Sequence, residues 1–261
     1  MTRFTRTMAA SLALFTAATA LAAPQDPAPA PAPAPAAAPA AAPAPAPAPA
    51  PAAPKAAPAE KPAAAAAGPV FVAIATSKGD ILLELDPVKA PVSVANFMSY
   101  VKKGFYDNTV FHRIVPGFVV QGGGFDGALV QKKTDAPIKN EWRNGLKNAR
   151  GTISMARTAA PDSATSQFFL NLKDNPALDG ANGPGYAVFG RIVVGLDVLD
   201  AMGAAPTARK EVTVEGGQKA IFSDVPAESI TMVSAKEIDG AAAEAMMAAA
   251  KAKAAAPATA P

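Results

Sequence analysis

Fifteen of the chain's 27 prolines fall between Pro24 and Pro62. The residues between them are nearly all Ala, much of it in strict alternation with Pro. Each proline fixes its own φ and biases the residue before it to extended geometry. Residues 23–68 are therefore expected to form a disordered, polyproline-II-like linker rising about 3.1 Å per residue. It reads either as a stalk holding a domain away from something or as a bland low-complexity tract. The foldable part is then shorter than 261 residues, running roughly from Pro69 to Ala235, the size of one domain with its own core.

The flanks add a leader and a tail. Met1–Arg6 carries two Arg and no acid, Met8–Leu21 is apolar, and Ala20-Leu21-Ala22 has small residues at the cleavage spacing. Residues 1–22 thus read as a secretory signal peptide, with a short amphipathic or buried helix as the alternative. The apolar run is shorter than the ~20 residues a membrane span needs. No Cys follows the cleavage site to carry a lipid anchor. The expected destination is the periplasm. Residues 236–261 are Ala-rich; Gly240–Ala255 has helix propensity but no repeating large apolar face, so a frayed helix or disordered tail is expected.

Composition removes several chemistries. The chain has no Cys and one His, which excludes disulfides, Cys-ligated zinc, a thiolate nucleophile and multi-His metal sites. Neither metal nor cofactor is expected. The net charge is +3, and removing Arg3 and Arg6 with the leader takes it to +1, too little for a nucleic-acid surface.

The central segment reads as mainly β. Val70–Thr76, a Ser77–Asp80 turn and Ile81–Asp86 form a hairpin pattern. Pro91–Lys103 switches to helical spacing, with Pro91 at its start and Gly104 at its end. Short strands are expected at Val110–Val115, Phe118–Gln121, Thr152–Ala156, Gln167–Leu172, Ala187–Val193 and Ile230–Ser234, with a second helix at Leu196–Met202. Many short strands and few helices fit a sandwich or a closed barrel, and periodicity alone does not choose.

The familiar catalytic kits are missing: there is no phosphate loop, dinucleotide fingerprint or nucleophile elbow. What remains is polar groups set among aromatics. Arg113 sits inside an apolar strand, where a charge is costly unless paired or used. Gln121 and Val119 share one strand face, as do Gln167 and Phe169. Apolar walls beside amides and a guanidinium suit a peptide. The lone His112 reads first as a packing or supporting residue.

Four separated segments carry a resemblance: FHRIVPGFVVQGG (Phe111–Gly123), GTISMAR (Gly151–Arg157), SQFF (Ser166–Phe169) and YAVFG (Tyr186–Gly190). In order and spacing they resemble the cyclophilin family of peptidyl-prolyl cis-trans isomerases, and within it the exported bacterial type. The resemblance covers about Val70–Ala235. It implies a closed eight-stranded antiparallel β-barrel capped by two helices. It implies Arg113 as the catalytic cation and Gln121 as its supporting amide. It places Phe118, Val119, Phe169 and Leu178 in the proline pocket, Ala156 and Gln167 along the neighbouring groove, and Tyr186 and His112 with them.

Three positions depart from the family pattern. Ala177 stands where many eukaryotic members have Trp, so weak cyclosporin binding is expected. Tyr186 replaces a His at the pocket rim, and Arg157 replaces an Asn whose backbone contacts substrate. The expected substrates are proline-containing unfolded or exposed polypeptide segments, and the protein is expected to assist folding of exported proteins, as a monomer. The runner-up is a non-catalytic peptide-binding or chaperone module using the same groove. The isomerase reading requires Arg113 to face a cleft without being neutralised by a carboxylate.

Overall fold

The computed structural model describes residues 68–181 and 183–255; the expected leader and nearly all of the linker lie outside the described residues. The strands in chain order are β1 (Val70–Thr76), β2 (Gly79–Leu85), β3 (Thr109–Val110), β4 (Arg113–Val115), β5 (Val119–Gly122), β6 (Phe125–Asp126), β7 (Thr152–Met155), β8 (Phe168–Asn171), β9 (Val188–Val194), β10 (Thr207–Thr213), β11 (Lys219–Pro226) and β12 (Thr231–Ile238). The helices are α1 (Pro91–Lys102), α2 (Leu196–Gly203) and α3 (Gly240–Ala255).

Ten strands share one antiparallel sheet in the order β4-β5-β8-β7-β9-β2-β1-β12-β3-β6. Its two ends are built from the same two pieces of chain. Thr109–Val115 supplies β3 at one end and β4 at the other, and Val119–Asp126 supplies β6 and β5. Each piece is one long strand broken by a bend, so the ten strands belong to eight strand segments. The sheet curls into a barrel whose seam is crossed by the backbone of those two segments.

Strand alternation sorts the sequence between the inside and the outside of that wall. Ile114 pairs with Val120, Val120 with Leu170 and Leu170 with Ile153, and all four are fully buried in the barrel core. The next row, Arg113–Gln121–Phe169, turns to the opposite face. One ladder thus supplies both the core and the outward site.

The two expected helices form as read. α1 starts at Pro91 and buries Val94, Phe97, Met98 and Val101. Its cap residue Ala90 has no side-chain bond to give, and the distant Glu141 supplies it: the Val92 and Ser93 amides donate to its carboxylate at 3.0 and 2.8 Å. α2 buries Leu199 and Met202.

Two features depart from the sequence reading. Gly240–Ala255 is a complete helix, started by Asp239, whose carboxylate accepts from the Ala242 amide at 2.7 Å. Only Ala243 of α3 is buried, which fits the missing large apolar face. The second is the β10–β11 hairpin over 207–226, which the sequence reading left unassigned. Among the described residues no helix is long and apolar enough to cross a membrane.

Candidate prolyl-peptide site

The outward row places Arg113 and Gln121 directly opposite one another, and Gln121 opposite Phe169. Arg113 Nη1 donates to Gln121 Oε1 at 3.5 Å, and Gln121 Nε2 donates to Gln167 Oε1 at 3.0 Å. A polar line therefore runs from the guanidinium through two amides. Gln167 reaches its place because Gly124 has no side chain; a Cβ there would lie 2.5 Å from Gln167 Cγ. The preceding segment is pinned from behind. Asn96 Nδ2 donates to the Thr165 carbonyl at 2.6 Å and Tyr106 Oη to the Ser166 carbonyl at 2.8 Å.

Beside the polar line lies an apolar cluster separate from the barrel core. Val119, Ala156 and Phe169 are its buried members, and Phe118, Leu178 and Tyr186 pack against them half-buried. These are the six apolar and aromatic residues singled out for the pocket and groove. The Phe169 and Tyr186 rings meet edge-on, with centroids 5.5 Å apart. Arg157 holds the Tyr186 side of the rim: its guanidinium lies 4.5 Å over the Tyr186 ring and donates to the Gly185, Pro184 and Thr158 carbonyls.

His112 does not line the open groove. It is 2 % exposed and packs against Phe125 in a tilted pair with ring centroids 4.5 Å apart. Burial, reinforced by the Arg113 charge, pushes its pKa from 6.5 down to about 3, against hydrogen bonds that pull the other way. It is a neutral packing group under the site, as a lone His in an apolar strand suggested, and its inclusion among substrate contacts is corrected by that burial.

Behind the pocket stands a polar network that sequence reasoning missed. Ser154 Oγ donates to Asn148 Oδ1 at 2.7 Å, and Asn148 Nδ2 donates to Asp179 at 3.0 Å. Asn171 Nδ2 reaches Thr152 Oγ1 at 2.9 Å, and Asn175 Nδ2 donates to both Asn171 Oδ1 at 2.8 Å and the Phe118 carbonyl at 3.1 Å. Asn148, Asn171 and Asn175 are buried, so each bond replaces one lost to water. The network ties Phe118 to the Pro176–Asp179 turn that carries Leu178. Its one local signal is Asn171, a polar residue ending the wholly buried strand FFLN.

Arg113 also has a carboxylate neighbour, contrary to the sequence-based requirement. Asp224 Oδ2 lies 3.7 Å from Arg113 Nε, with the side chains 42 % and 28 % exposed. At that distance and exposure the pair is weak, worth about 0–1 kcal/mol. It engages only the Nε edge. Nη2 makes no hydrogen bond among the described residues, so the guanidinium keeps a free donor.

A hollow of about 560 Å³ lies elsewhere, lined by Pro69, Leu85, Val88, Leu146 and Val188 among others. Its charges Glu84 and Arg191 are satisfied by each other at 3.0 Å. The described residues contain no group of three His, Asp or Glu that could hold a metal.

An antiparallel barrel bearing an outward Arg–amide line beside an aromatic slot defines a peptide-binding class with a polarising cation. The family model described as cyclophilin type peptidyl-prolyl cis-trans isomerase/CLD matches residues 71–236. The chain is 51 % identical over 175 residues to peptidyl-prolyl cis-trans isomerase A of Dickeya dadantii, covering 67 % of this chain and 87 % of that one. It is 46 % identical over 163 residues to peptidyl-prolyl cis-trans isomerase B of Escherichia coli, covering 61 % and 94 %. A Cryptosporidium parvum cyclophilin type peptidyl-prolyl cis-trans isomerase, solved in the presence of the dipeptide ala-pro, is 26 % identical with a TM-score of 0.52, covering 65 % of this chain and 99 % of that one. The chain belongs to the cyclophilin family and is a peptidyl-prolyl cis-trans isomerase.

Proposed function

We propose that Arg113 is the catalytic cation of this isomerase and that the slot formed by Phe118, Val119, Phe169 and Leu178 receives the proline ring. The observation that carries this is Arg113 standing cross-strand from Gln121, one register step from Phe169 of the apolar slot. Rotation about an X–Pro bond is slow because amide resonance raises a barrier of about 18–20 kcal/mol. At mid-rotation the imide nitrogen pyramidalises and recovers a lone pair. A guanidinium donor aimed at that nitrogen binds the twisted amide more strongly than either planar isomer, which is what lowers the barrier. No bond is made or broken and no proton changes owner. The slot anchors the ring and keeps water off the donor. Gln121 and Gln167 steer the guanidinium, Ala156 lines the adjoining groove, and Tyr186 closes the rim.

The substrates in this reading are proline-containing, unfolded or exposed segments of other exported proteins, handled in the periplasm by a monomer. The leader pattern of residues 1–22 supports export. Ala177 is exposed beside Leu178 and offers no aromatic surface, so cyclosporin is expected to bind weakly.

The test is cis–trans exchange on a short Ala-Pro peptide, followed by NMR. Arg113→Ala is expected to fold and to lose at least about tenfold in kcat/KM, the range of one lost transition-state hydrogen bond from a charged donor. Undiminished exchange would remove Arg113 from the mechanism.

A further inference from the structure

The β10–β11 hairpin stands outside the barrel wall and reaches the site from the side opposite Gln121. Its strand β11 alternates cleanly: Lys219, Ile221 and Ser223 are exposed, while Ala220, Phe222 and Asp224 are half-buried. Phe222 and Asp224 therefore share the face turned to the barrel. Phe222 packs into a small second core with Val110, Phe125 and Val212, and its ring lies 6.2 Å from that of His112. The hairpin is held at its other strand too, where the Gln131 amide donates to the Thr213 carbonyl at 2.8 Å. With Phe222 seated, Asp224 follows two residues later beside Arg113.

Arg113 needs such a neighbour. It leaves β4, a three-residue strand at one end of the sheet order, paired on one side by β5 and flanked on the other by β11. A free Arg side chain carries about 2 kcal/mol of rotamer entropy. Gln121 holds only Nη1, and at 3.5 Å that bond is at the outer limit of hydrogen bonding. Asp224 attracts the Nε edge from the other flank at 3.7 Å. Together they leave Nη2 as the donor without a partner among the described residues.

We propose that Asp224 is a positioning residue for the Arg113 guanidinium, delivered by the β10–β11 hairpin, which sets the rate of the twisted-amide step and not the affinity for peptide. This rests on the reading of Arg113 as the catalytic cation. The carboxylate biases one rotamer of the guanidinium and leaves its Nη2 donor open.

The experiment measures kcat and KM for a short Ala-Pro peptide with the full chain at low ionic strength. Asp224→Ala and Asp224→Asn are expected to lower kcat about three- to tenfold, or about 0.6–1.4 kcal/mol at 1.36 kcal/mol per tenfold. KM should stay within about twofold, because ground-state contacts are untouched. Asp224→Glu, which keeps the charge on a longer arm, should recover at least about half of the loss. In an Arg113→Ala background Asp224→Ala should have no further effect, since the two act as one unit. Salt near 1 M, with a Debye length of about 3 Å, should bring the wild type toward Asp224→Asn while leaving that variant nearly unmoved. Unchanged or faster kcat in Asp224→Ala, a loss carried wholly by KM, or a Glu variant no better than Ala each overturns the positioning role. If Arg113→Ala itself keeps full activity, the failure lies in the catalytic reading beneath.

Discussion

At the residue scale the one imidazole beside the site stays uncharged near neutrality. His112, the chain's one His, is held neutral down to about 3. The kcat/KM profile is therefore expected to be flat between about pH 5 and 8. Stability should behave differently. In the unfolded chain His112 binds a proton near 6.5, while in the folded chain it resists until about 3. The unfolded state thus holds more protons on His112 between those values, and the His112 contribution to stability falls as pH drops from 6.5 toward 3, then levels off. Thermal melts of the wild type against His112→Leu over that window check this: the difference in slope should vanish above pH 7. Two pairs on one strand face each, Gln121 with Val119 and Gln167 with Phe169, were readable from alternation alone, whereas Phe118 and Leu178 entered only through the resemblance. Asp224 was not legible, because its partner stands on a different element far back in the chain.

At the element scale the sequence was readable where one period dominates. β1, β2, α1, β7, β9 and α2 form within a residue or two of the limits that alternation, Pro91 and the glycines imply. The β10–β11 hairpin had a usable signal that went unread: Val212 and Val214 alternate before Gly216-Gly217, and Ala220 and Phe222 after it. The bounds of α3 were readable from helix propensity, but the missing apolar face hid that it forms a full helix, and Asp239 as its cap was the overlooked signal. The Asn network was the hardest to foresee, because its members come from three connected but non-adjacent stretches. Its importance is measurable. Asn175→Ala removes the donor that ties Phe118 to Asn171 and leaves a buried acceptor unpaired. A loss of about 1–3 kcal/mol is expected. The accompanying loosening of Phe118 and Leu178 should raise KM more than it lowers kcat, as chemical denaturation and steady-state rates on the same variant will show.

At the scale of the whole molecule, the barrel carries the catalytic apparatus while the chain before it carries potential ligands. Thirteen of the prolines between Pro24 and Pro62 follow an Ala. A short flexible tether would give effective concentrations of about a millimolar, so weak competition of these Ala-Pro bonds for the protein's own site is expected. Removing residues 24–67 is expected to lower the apparent KM for an Ala-Pro peptide without changing kcat, and equal KM values would reject self-competition. The barrel class itself became legible only through motif order, because periodicity fits a sandwich as well.

The seam of the barrel has a last consequence. The backbone segments that join the two ends of the sheet, Thr109–Val115 and Val119–Asp126, are also those that bear Arg113, Val119 and Gln121. Breathing of the wall at that joint would scatter the catalytic groups before the rest of the core felt anything. Rigidity for the enzyme and integrity for the fold are, at those few residues, one requirement, and a lineage drifting in sequence cannot relax either without forfeiting both.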